Sequence, residues 1–235
     1  MRLDSYLVEN TLAETRNKAQ TLIKEGLVLV DAKEIKKSSF KVEEGMQITV
    51  KEHHQYVSRA AYKLKDFIEE IGYEPSGKVA LDIGSSTGGF TQVLLEAGTK
   101  EVTCVDVGSD QLHHSLRSNE RVHVFENCDI RKFESEKLFD LIVSDVAFIS
   151  LLYILDDINR LGSKDIILLF KPQFEVGREA KRDKNGVVLD QKAIEDAMIR
   201  FEETCNKNGW ILQNKAPSKT TGKEGNLEYC YYFTK

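Results

Sequence analysis

A glycine-rich turn at residues 80–90, with the sequence ALDIGSSTGGF, decides the fold of this chain. The apolar residues before Gly84 predict a buried strand, and the residues after Gly88 predict the first turn of a helix. Glycines let the backbone approach a ligand closely, and a helix N-terminus attracts negative charge. The dinucleotide-binding pattern G-x-G-x-x-G is broken, however, because Ser86 stands where its second glycine belongs. The turn therefore predicts a different kind of ligand site at the end of a strand.

Strands alternate with helices from residue 78 onward. Short apolar runs predict strands at Val79–Ile83, Val102–Val107, His123–Asn127, Leu141–Asp145 and Ile166–Phe170, then a long helix at Asp190–Asn208 and two closing strands at Ile211–Lys215 and Leu227–Phe233. This alternation is typical of a parallel sheet that helices cover on both faces. We therefore predict an α/β fold for this part of the chain.

Carboxylates lie at or just after the ends of three successive predicted strands, at Asp82, Asp106 and Asp129. At the end of the first strand, Asp82 would repel phosphates and pair with an amino group. Asp106 ends the second strand, where an acid can bind the two hydroxyls of a ribose. Asp129 is placed to meet an adenine amino group. A ligand with an amino acid at one end and a nucleoside at the other satisfies all three acids, and S-adenosylmethionine is such a ligand.

The turn resembles motif I of the class I methyltransferases. This resemblance implies a Rossmann-like, mostly parallel seven-stranded sheet and S-adenosylmethionine as the cofactor. The predicted cofactor-binding residues are Asp82, Gly84, Ser85, Ser86, Gly88, Gly89, Phe90, Asp106, Asp129 and Asp145.

The end of the fourth strand, SDVAF at residues 144–148, argues against a nucleobase as the methyl acceptor. Enzymes that methylate base amino groups commonly carry N/D-P-P-Y/F at this point, and this chain does not. Enzymes that act on cytosine C5 place a nucleophilic cysteine nearby, but Cys128 lacks the preceding proline. Base methylation is disfavoured, though not excluded.

Three segments resemble the FtsJ-like RNA ribose 2′-O-methyltransferases: RAAYKL at residues 59–64, KPQFE at 171–175 and GNLEY at 225–229. Those enzymes use a Lys-Asp-Lys-Glu tetrad. Carried over by motif, the tetrad becomes Lys63, Asp145, Lys171 and Glu228.

The chemistry of ribose methylation requires such a set. A ribose hydroxyl is a poor nucleophile near neutral pH, so the enzyme must orient it and help to remove its proton. Lys171 is the candidate for that role, which requires its pKa to be depressed by burial or by a second cation such as Lys63. The alternative, that Lys171 only steers an alkoxide electrostatically, stays open. Methyl transfer from a sulfonium is an in-line displacement, so no metal is predicted.

Residues 1–50 form a separate α+β unit in this interpretation, and the run TRNKAQTLIKEGLVLV at 15–30 resembles the S4 RNA-binding domain. Residues 1–65 hold 12 Lys and Arg against 9 Asp and Glu, a net charge of +3, which leaves −8 for the rest of a chain whose total is −5. Arg16 and Lys18 lie in the first turn of a predicted helix, where the dipole already favours anions. Their positive charge there suits an RNA phosphate.

Predicted RNA contacts extend over both units and are Arg2, Arg16, Lys18, Lys33, Lys36, Lys37, Arg59, Phe148, Arg178, Lys181 and Arg182. We expect Phe148 to stack on a displaced base, with a core aromatic as the alternative. The basic loop at residues 178–184 is predicted to clamp RNA phosphate, and its alternative is a solvated loop.

An S4 domain followed by an FtsJ-like domain is similar to the architecture of the TlyA family, which is also labelled as hemolysins. The predicted division is 1–50 for the S4 unit, 51–56 for a linker and 57–235 for the methyltransferase unit. The resemblance implies 2′-O-methylation of cytidines in bacterial ribosomal RNA. At 235 residues the chain resembles the shorter members, which act on the large subunit. The predicted partner is ribosomal RNA or a ribosomal subunit, and no obligate protein partner is inferred.

Composition disfavours several other classes of protein. No run of about 18 uncharged apolar residues is present, so no membrane-spanning helix is predicted, and the start of the chain does not resemble a signal peptide. The four cysteines are far apart and form no CxxC pair, which predicts reduced cysteines in a cytoplasmic protein. His53 and His54 are interpreted as solvated linker residues.

Two alternative functions remain. One is a non-catalytic RNA-binding or assembly protein with a relic fold. The other is a membrane-lytic hemolysin, for which no amphipathic membrane segment is visible.

Overall fold

A computed structural model describes residues 1–51 and 56–235 of the protein. The chain divides into two compact units, Met1–Gln55 and Tyr56–Lys235. The linker predicted at 51–56, with its two histidines, lies almost wholly outside the described residues. Among the helices that the structure describes, none is long and apolar enough to cross a bilayer.

The N-terminal unit packs two helices on a small antiparallel sheet. Its elements are α1 (Leu3–Glu9), α2 (Arg16–Lys24), β1 (Val28–Val30), β2 (Lys33–Glu34) and β3 (Ile48–Val50), with the strands in the order β2-β1-β3. Thr15 is the N-cap of α2. Its Oγ1 accepts a hydrogen bond from the backbone N–H of Lys18 at 3.3 Å. Leu7 and Ile23 are fully buried between the helices and the sheet.

The larger unit is a seven-stranded sheet between two layers of helices. Its elements are α3 (Ala60–Glu70), β4 (Val79–Ile83), α4 (Gly89–Glu96), β5 (Glu101–Val105), α5 (His114–Arg117), β6 (Val122–Phe125), β7 (Phe139–Ser144), α6 (Leu155–Leu161), β8 (Gly162–Phe170), α7 (Pro172–Glu175), α8 (Gln191–Lys207), β9 (Ile211–Pro217) and β10 (Tyr229–Thr234). Buried residues of α3 and α4 cover one face of the sheet, and those of α6 and α8 cover the other.

The strand order is β6-β5-β4-β7-β8-β10-β9, and β10 runs opposite to the other six strands. The predicted class I, mostly parallel sheet is therefore confirmed. Because β5 and β7 flank β4, the strand order reverses at β4, and ligands of such sheets bind at the carboxyl ends beside that reversal. The antiparallel β10 brings its first residue, Tyr229, opposite Phe170, the last residue of β8. Residues that precede β10 therefore lie at the same edge of the sheet as residues that follow β8.

Candidate active site

The glycine-rich turn leaves β4 and crosses close to the backbone of a neighbouring loop. Gly84 has φ +77°, and a Cβ at this position would lie 3.0 Å from a side-chain carbon of Val146 and 3.2 Å from its Cα. At Gly89, the first residue of α4, a Cβ would lie 2.3 Å from Ser58 Oγ and 2.9 Å from the Ala61 backbone nitrogen. These glycines therefore let the turn approach both the loop after β7 and the start of α3.

Asp82 lies beneath the turn and is completely buried. Thr91 donates a hydrogen bond to its Oδ2 at 2.6 Å, whereas its Oδ1 has no hydrogen-bond partner among the described residues. Burial raises the pKa of Asp82 to about 7, against the opposing effect of the Thr91 hydrogen bond. An unpaired buried carboxylate oxygen is well suited to accept a hydrogen bond from a ligand ammonium group, which would also stabilise its ionised form.

Two cavities adjoin at the carboxyl ends of the strands. The larger, of about 550 Å³, runs past Asp106 and Asp129, and the smaller, of about 250 Å³, contains Asp82 and Lys171. Gly84, Ser86 and Asp145 line both cavities, together with Ala147. Nine of the ten predicted cofactor residues line at least one of the two cavities. They are Asp82, Gly84, Ser85, Ser86, Gly89, Phe90, Asp106, Asp129 and Asp145. The tenth, Gly88, lines neither cavity. A Cβ at this position would face Leu112 and Leu116 and collide with them.

The two acids of the larger cavity differ in how they are held. Asp106 accepts backbone hydrogen bonds from Ser86 at 2.8 Å and Gly108 at 2.7 Å, which orients its carboxylate at the end of β5. The carboxylate of Asp129 is instead paired with the guanidinium of Arg131 at 2.6 Å, and this pairing lowers its pKa to about 2. An adenine amino group could reach Asp129 only by sharing that carboxylate with Arg131, a partner that the sequence pattern did not reveal.

The four residues of the predicted tetrad form two ion pairs at this edge of the sheet. Lys171 Nζ lies 2.5 Å from Asp145 Oδ1, and Lys63 Nζ donates to Glu228 Oε2 at 2.6 Å. Lys63 and Lys171 are each 8% exposed, and Glu228 is 2% exposed. Buried ion pairs contribute little net stability because desolvation offsets their attraction. Their position beside a ligand cavity therefore points to chemistry, rather than to stability, as their role.

A third, open groove of about 630 Å³ lies beside the tetrad and is lined by Phe148, Tyr153, Phe174, Arg178 and Arg182, among others. Phe148 is 92% exposed at φ +64°, so it is not the core aromatic of the alternative interpretation. Its ring contacts that of Phe174 at a centroid distance of 5.4 Å. Arg178 is exposed, whereas the Arg182 guanidinium already donates to the backbone oxygens of Gln173 and Gly177, both at 3.0 Å. Arg182 thus secures the loop in this structure and has fewer donors available for RNA.

A buried carboxylate organises the predicted RNA-binding arginines of the N-terminal unit. Asp4 is fully buried and accepts hydrogen bonds from Arg2 at 2.9 Å, from Arg16 at 3.1 Å and from Gln20 at 2.9 Å. The Arg2 guanidinium, helped by Gln20 and Arg16, holds the pKa of Asp4 well below its usual range. Both arginine side chains remain about half exposed, so each keeps N–H donors that face solvent.

The other predicted RNA contacts lie on exposed surface. Lys18 pairs with Glu14 at 2.5 Å and Lys36 with Glu34 at 3.1 Å, while Lys33, Lys37, Arg59 and Lys181 are exposed. These positions are compatible with phosphate contacts.

The fold and the paired cavities are those of a class I S-adenosylmethionine-dependent methyltransferase. Residues 56–235 match the FtsJ-like methyltransferase family, and residues 1–48 match the S4 domain. The chain belongs to the TlyA family, in which these two domains are joined.

Individual relatives agree with this assignment. The chain is 48% identical to the 23S rRNA (cytidine-2′-O)-methyltransferase TlyA of Campylobacter jejuni, over 100% of both chains. It is 36% identical to the 16S/23S rRNA (cytidine-2′-O)-methyltransferase TlyA of Mycobacterium tuberculosis, over 97% of this chain and 87% of that protein. A solved structure of a hemolysin-named protein from Streptococcus thermophilus superposes with a TM-score of 0.74 at 32% identity, covering 100% of this chain and 88% of that one.

S-adenosylmethionine fits the residues of this site. The unpaired Asp82 Oδ1 matches its amino group, and the oriented Asp106 carboxylate matches its ribose hydroxyls. The glycine-rich turn leaves room for the part of S-adenosylmethionine that joins its amino group to its ribose.

Proposed function

We propose that the protein transfers a methyl group from S-adenosylmethionine to the 2′-hydroxyl of a cytidine in ribosomal RNA of the large subunit. The observation that carries this proposal is the pair of Lys–carboxylate contacts, Lys63–Glu228 and Lys171–Asp145, at the edge of the sheet where Lys171 and Asp145 line the cofactor cavity. The Campylobacter relative, which aligns with this chain over the full length of both, is named as a 23S rRNA methyltransferase. That name supports the choice of the large subunit.

The residues of the chain account for the steps that ribose methylation needs. When bound, S-adenosylmethionine supplies an electrophilic methyl group on a sulfonium. Asp82 and Asp106 would hold its two ends, and Lys171 lines the same cavity as Asp82. Lys63 and Glu228 would orient the ribose, because together they offer an ammonium donor and a carboxylate acceptor within 2.6 Å of each other.

Lys171 would act on the proton of the 2′-hydroxyl. Its ammonium group is paired with Asp145, so as a base it must first lose a proton, and as a steering group it would stabilise the developing alkoxide while charged. The pH–rate profiles of wild type and Lys171→Arg separate these roles. If the two profiles have the same shape, Lys171 is not the base.

RNA would be held by both units. Phe148 is exposed beside the tetrad and can stack on a base that has been displaced from its helix. Arg2 and Arg16, held by Asp4, present guanidinium donors on the S4 unit. A cytoplasmic location agrees with this proposal and remains a prediction, and we infer no obligate protein partner.

The decisive experiment maps 2′-O-methylation across 23S and 16S rRNA from cells with and without the gene. A complementing Lys171→Met variant serves as the matched control. We expect one cytidine of 23S rRNA to lose its methyl group without the gene and to stay unmethylated with the variant. Identical maps in the two strains, together with no calorimetric binding of S-adenosylmethionine, would favour a non-catalytic assembly protein instead.

A further inference from the structure

Gln173 connects the two halves of the tetrad but has no role in the proposed function so far. It lies in the short helix α7, two residues after Lys171. Its side-chain Nε2 donates a hydrogen bond to Glu228 Oε1 at 2.9 Å, while Lys63 Nζ donates to the other oxygen, Oε2, at 2.6 Å. Both oxygens of the buried Glu228 carboxylate are therefore held, one by an ammonium group and one by an amide.

Chemistry fixes the orientation of this amide. A carboxylate paired with an ammonium group only accepts hydrogen bonds, so the NH₂ end of Gln173 must face Glu228. The other end, Oε1, is buried without a hydrogen-bond partner in the part of the chain that the structure describes. Since no hydrogen bond from the described residues competes for the amide on that side, Glu228 sets its direction.

The backbone of Gln173 is anchored as well. The Arg182 guanidinium donates to its carbonyl oxygen at 3.0 Å, and Pro172 before it restricts the first turn of α7. Gln173 thus links the segment after β8 to Glu228, the residue that precedes β10. The charged and titratable groups around this network are Lys63, Glu70, Asp145, Lys171, Arg182 and Cys230.

We propose that Gln173 is a positioning residue for methyl transfer, which holds the Glu228 carboxylate in the one orientation that the Lys63–Glu228 pair needs to align the ribose. The inference rests on the proposed function and adds a residue to its machinery. Without the amide, one buried oxygen of Glu228 loses its donor and the carboxylate can rotate about its terminal bond. Misalignment of a reacting group by about 1 Å can reduce a rate by about a hundredfold.

Gln173→Glu tests this contact with a pH profile. The substitution keeps the shape of the side chain but puts a second carboxyl group about 2.9 Å from Glu228, as measured from the wild-type contact. Two carboxylates at this separation share a proton, and the apparent pKa of the pair rises. We expect the ratio of variant to wild-type kcat to fall about tenfold per pH unit above that apparent pKa. Below it, the shared proton restores the hydrogen bond and the ratio recovers. Because the measurement is a ratio, pH effects that are common to both proteins cancel.

Two further variants complete the design. Gln173→Met removes the amide without adding charge, and we expect a lower kcat at all pH values, with the KM for S-adenosylmethionine unchanged. The matched control is Gln191→Glu, because Gln191 makes the same amide-to-carboxylate contact with Glu195 at 3.0 Å, but on the exposed surface of α8. We expect Gln191→Glu to follow wild type, since solvent screens the repulsion there.

The outcomes separate the two proposals. If the wild-type protein does not methylate ribosomal RNA, the proposed function fails. If the wild type is active and the Gln173→Glu ratio does not vary with pH, the positioning role is refuted while the function stands. Wild-type kcat in Gln173→Met also refutes it, even if Gln173→Glu does not fold.

Discussion

The pH dependence of cofactor binding offers a direct test of the role assigned to Asp82. Its pKa of about 7 means that the carboxyl group of the ligand-free protein is roughly three-quarters ionised at pH 7.5 and only a few per cent ionised at pH 5.5. An α-amino group has a pKa of about 7.7–8.0, so the amino group of S-adenosylmethionine is mostly protonated at pH 7.5 and almost fully protonated at pH 5.5. If only the ionised carboxylate binds that ammonium group, the apparent affinity scales with the ionised fraction. Because part of the ligand amino group is neutral at pH 7.5, this effect is slightly reduced, and we expect the Kd for S-adenosylmethionine to rise about fifteenfold from pH 7.5 to pH 5.5.

Isothermal titration calorimetry of wild type and Asp82→Asn gives the measurement. In Asp82→Asn we expect a Kd about ten- to a hundredfold weaker at pH 7.5, because a hydrogen bond to a charged group is lost, and no further weakening at lower pH. Thr91→Val removes the hydrogen bond that lowers the Asp82 pKa, so the midpoint should move to higher pH. Asp165→Asn is the control, since Asp165 is also buried but lies towards the opposite end of β8 from the cavity and should leave the slope intact. A wild-type slope that persists in Asp82→Asn would refute the reasoning.

Three other predictions follow from the site. Lys171→Met should reduce incorporation of labelled methyl groups into ribosomal RNA by about a thousandfold while calorimetry detects bound S-adenosylmethionine, and loss of both would instead place Lys171 among the cofactor contacts. Phe148→Ala should raise the KM for RNA about tenfold or more with cofactor affinity unchanged, and unaltered kinetics would refute stacking. Asp4→Asn should destabilise the N-terminal unit by about 2 kcal/mol and weaken RNA binding, although it makes the unit more positive. Hydrogen exchange of residues 3–24 and RNA titrations at several salt concentrations test this. Tighter RNA binding by Asp4→Asn would show that the net charge of the unit, and not the positioning of its arginines, determines RNA affinity.

The fold was largely predictable because burial imposes a period on the sequence. The predicted strand at Val79–Ile83 matches β4 residue for residue, and the long helix differs from α8 only by its two capping residues. Strand β8 is longer than predicted, since it begins at Gly162 and not at Ile166. Its first four residues are Gly, Ser, Lys and Asp, which lack the apolar pattern of a strand and are held in the sheet by pairing with β7. Tertiary contacts of this kind leave no local signal.

The candidate site was predictable only in part. Asp82 and Gly84 follow from physical reasoning about the turn, whereas Lys63 and Glu228 lie 165 residues apart and were identified through the resemblance to a known family. The contacts of Asp4 and Gln173 were missed. Each depends on a side chain that meets its partner only after folding, and neither residue type is unusual at its position. The sequence pattern thus predicts which groups carry the chemistry but not which groups hold them in place.

The placement of β10 has a consequence for the order in which activity arises during synthesis. This strand is made after the other six strands of the sheet, yet it inserts in the interior of the sheet, between β8 and β9. The residues that form the cofactor cavities, up to Lys171, leave the ribosome well before Glu228 does. A nascent chain can therefore shape much of its cofactor cleft while Lys63 still lacks its carboxylate partner. Competence for methyl transfer would come as the final step of folding, which ties the onset of activity to completion of the sheet.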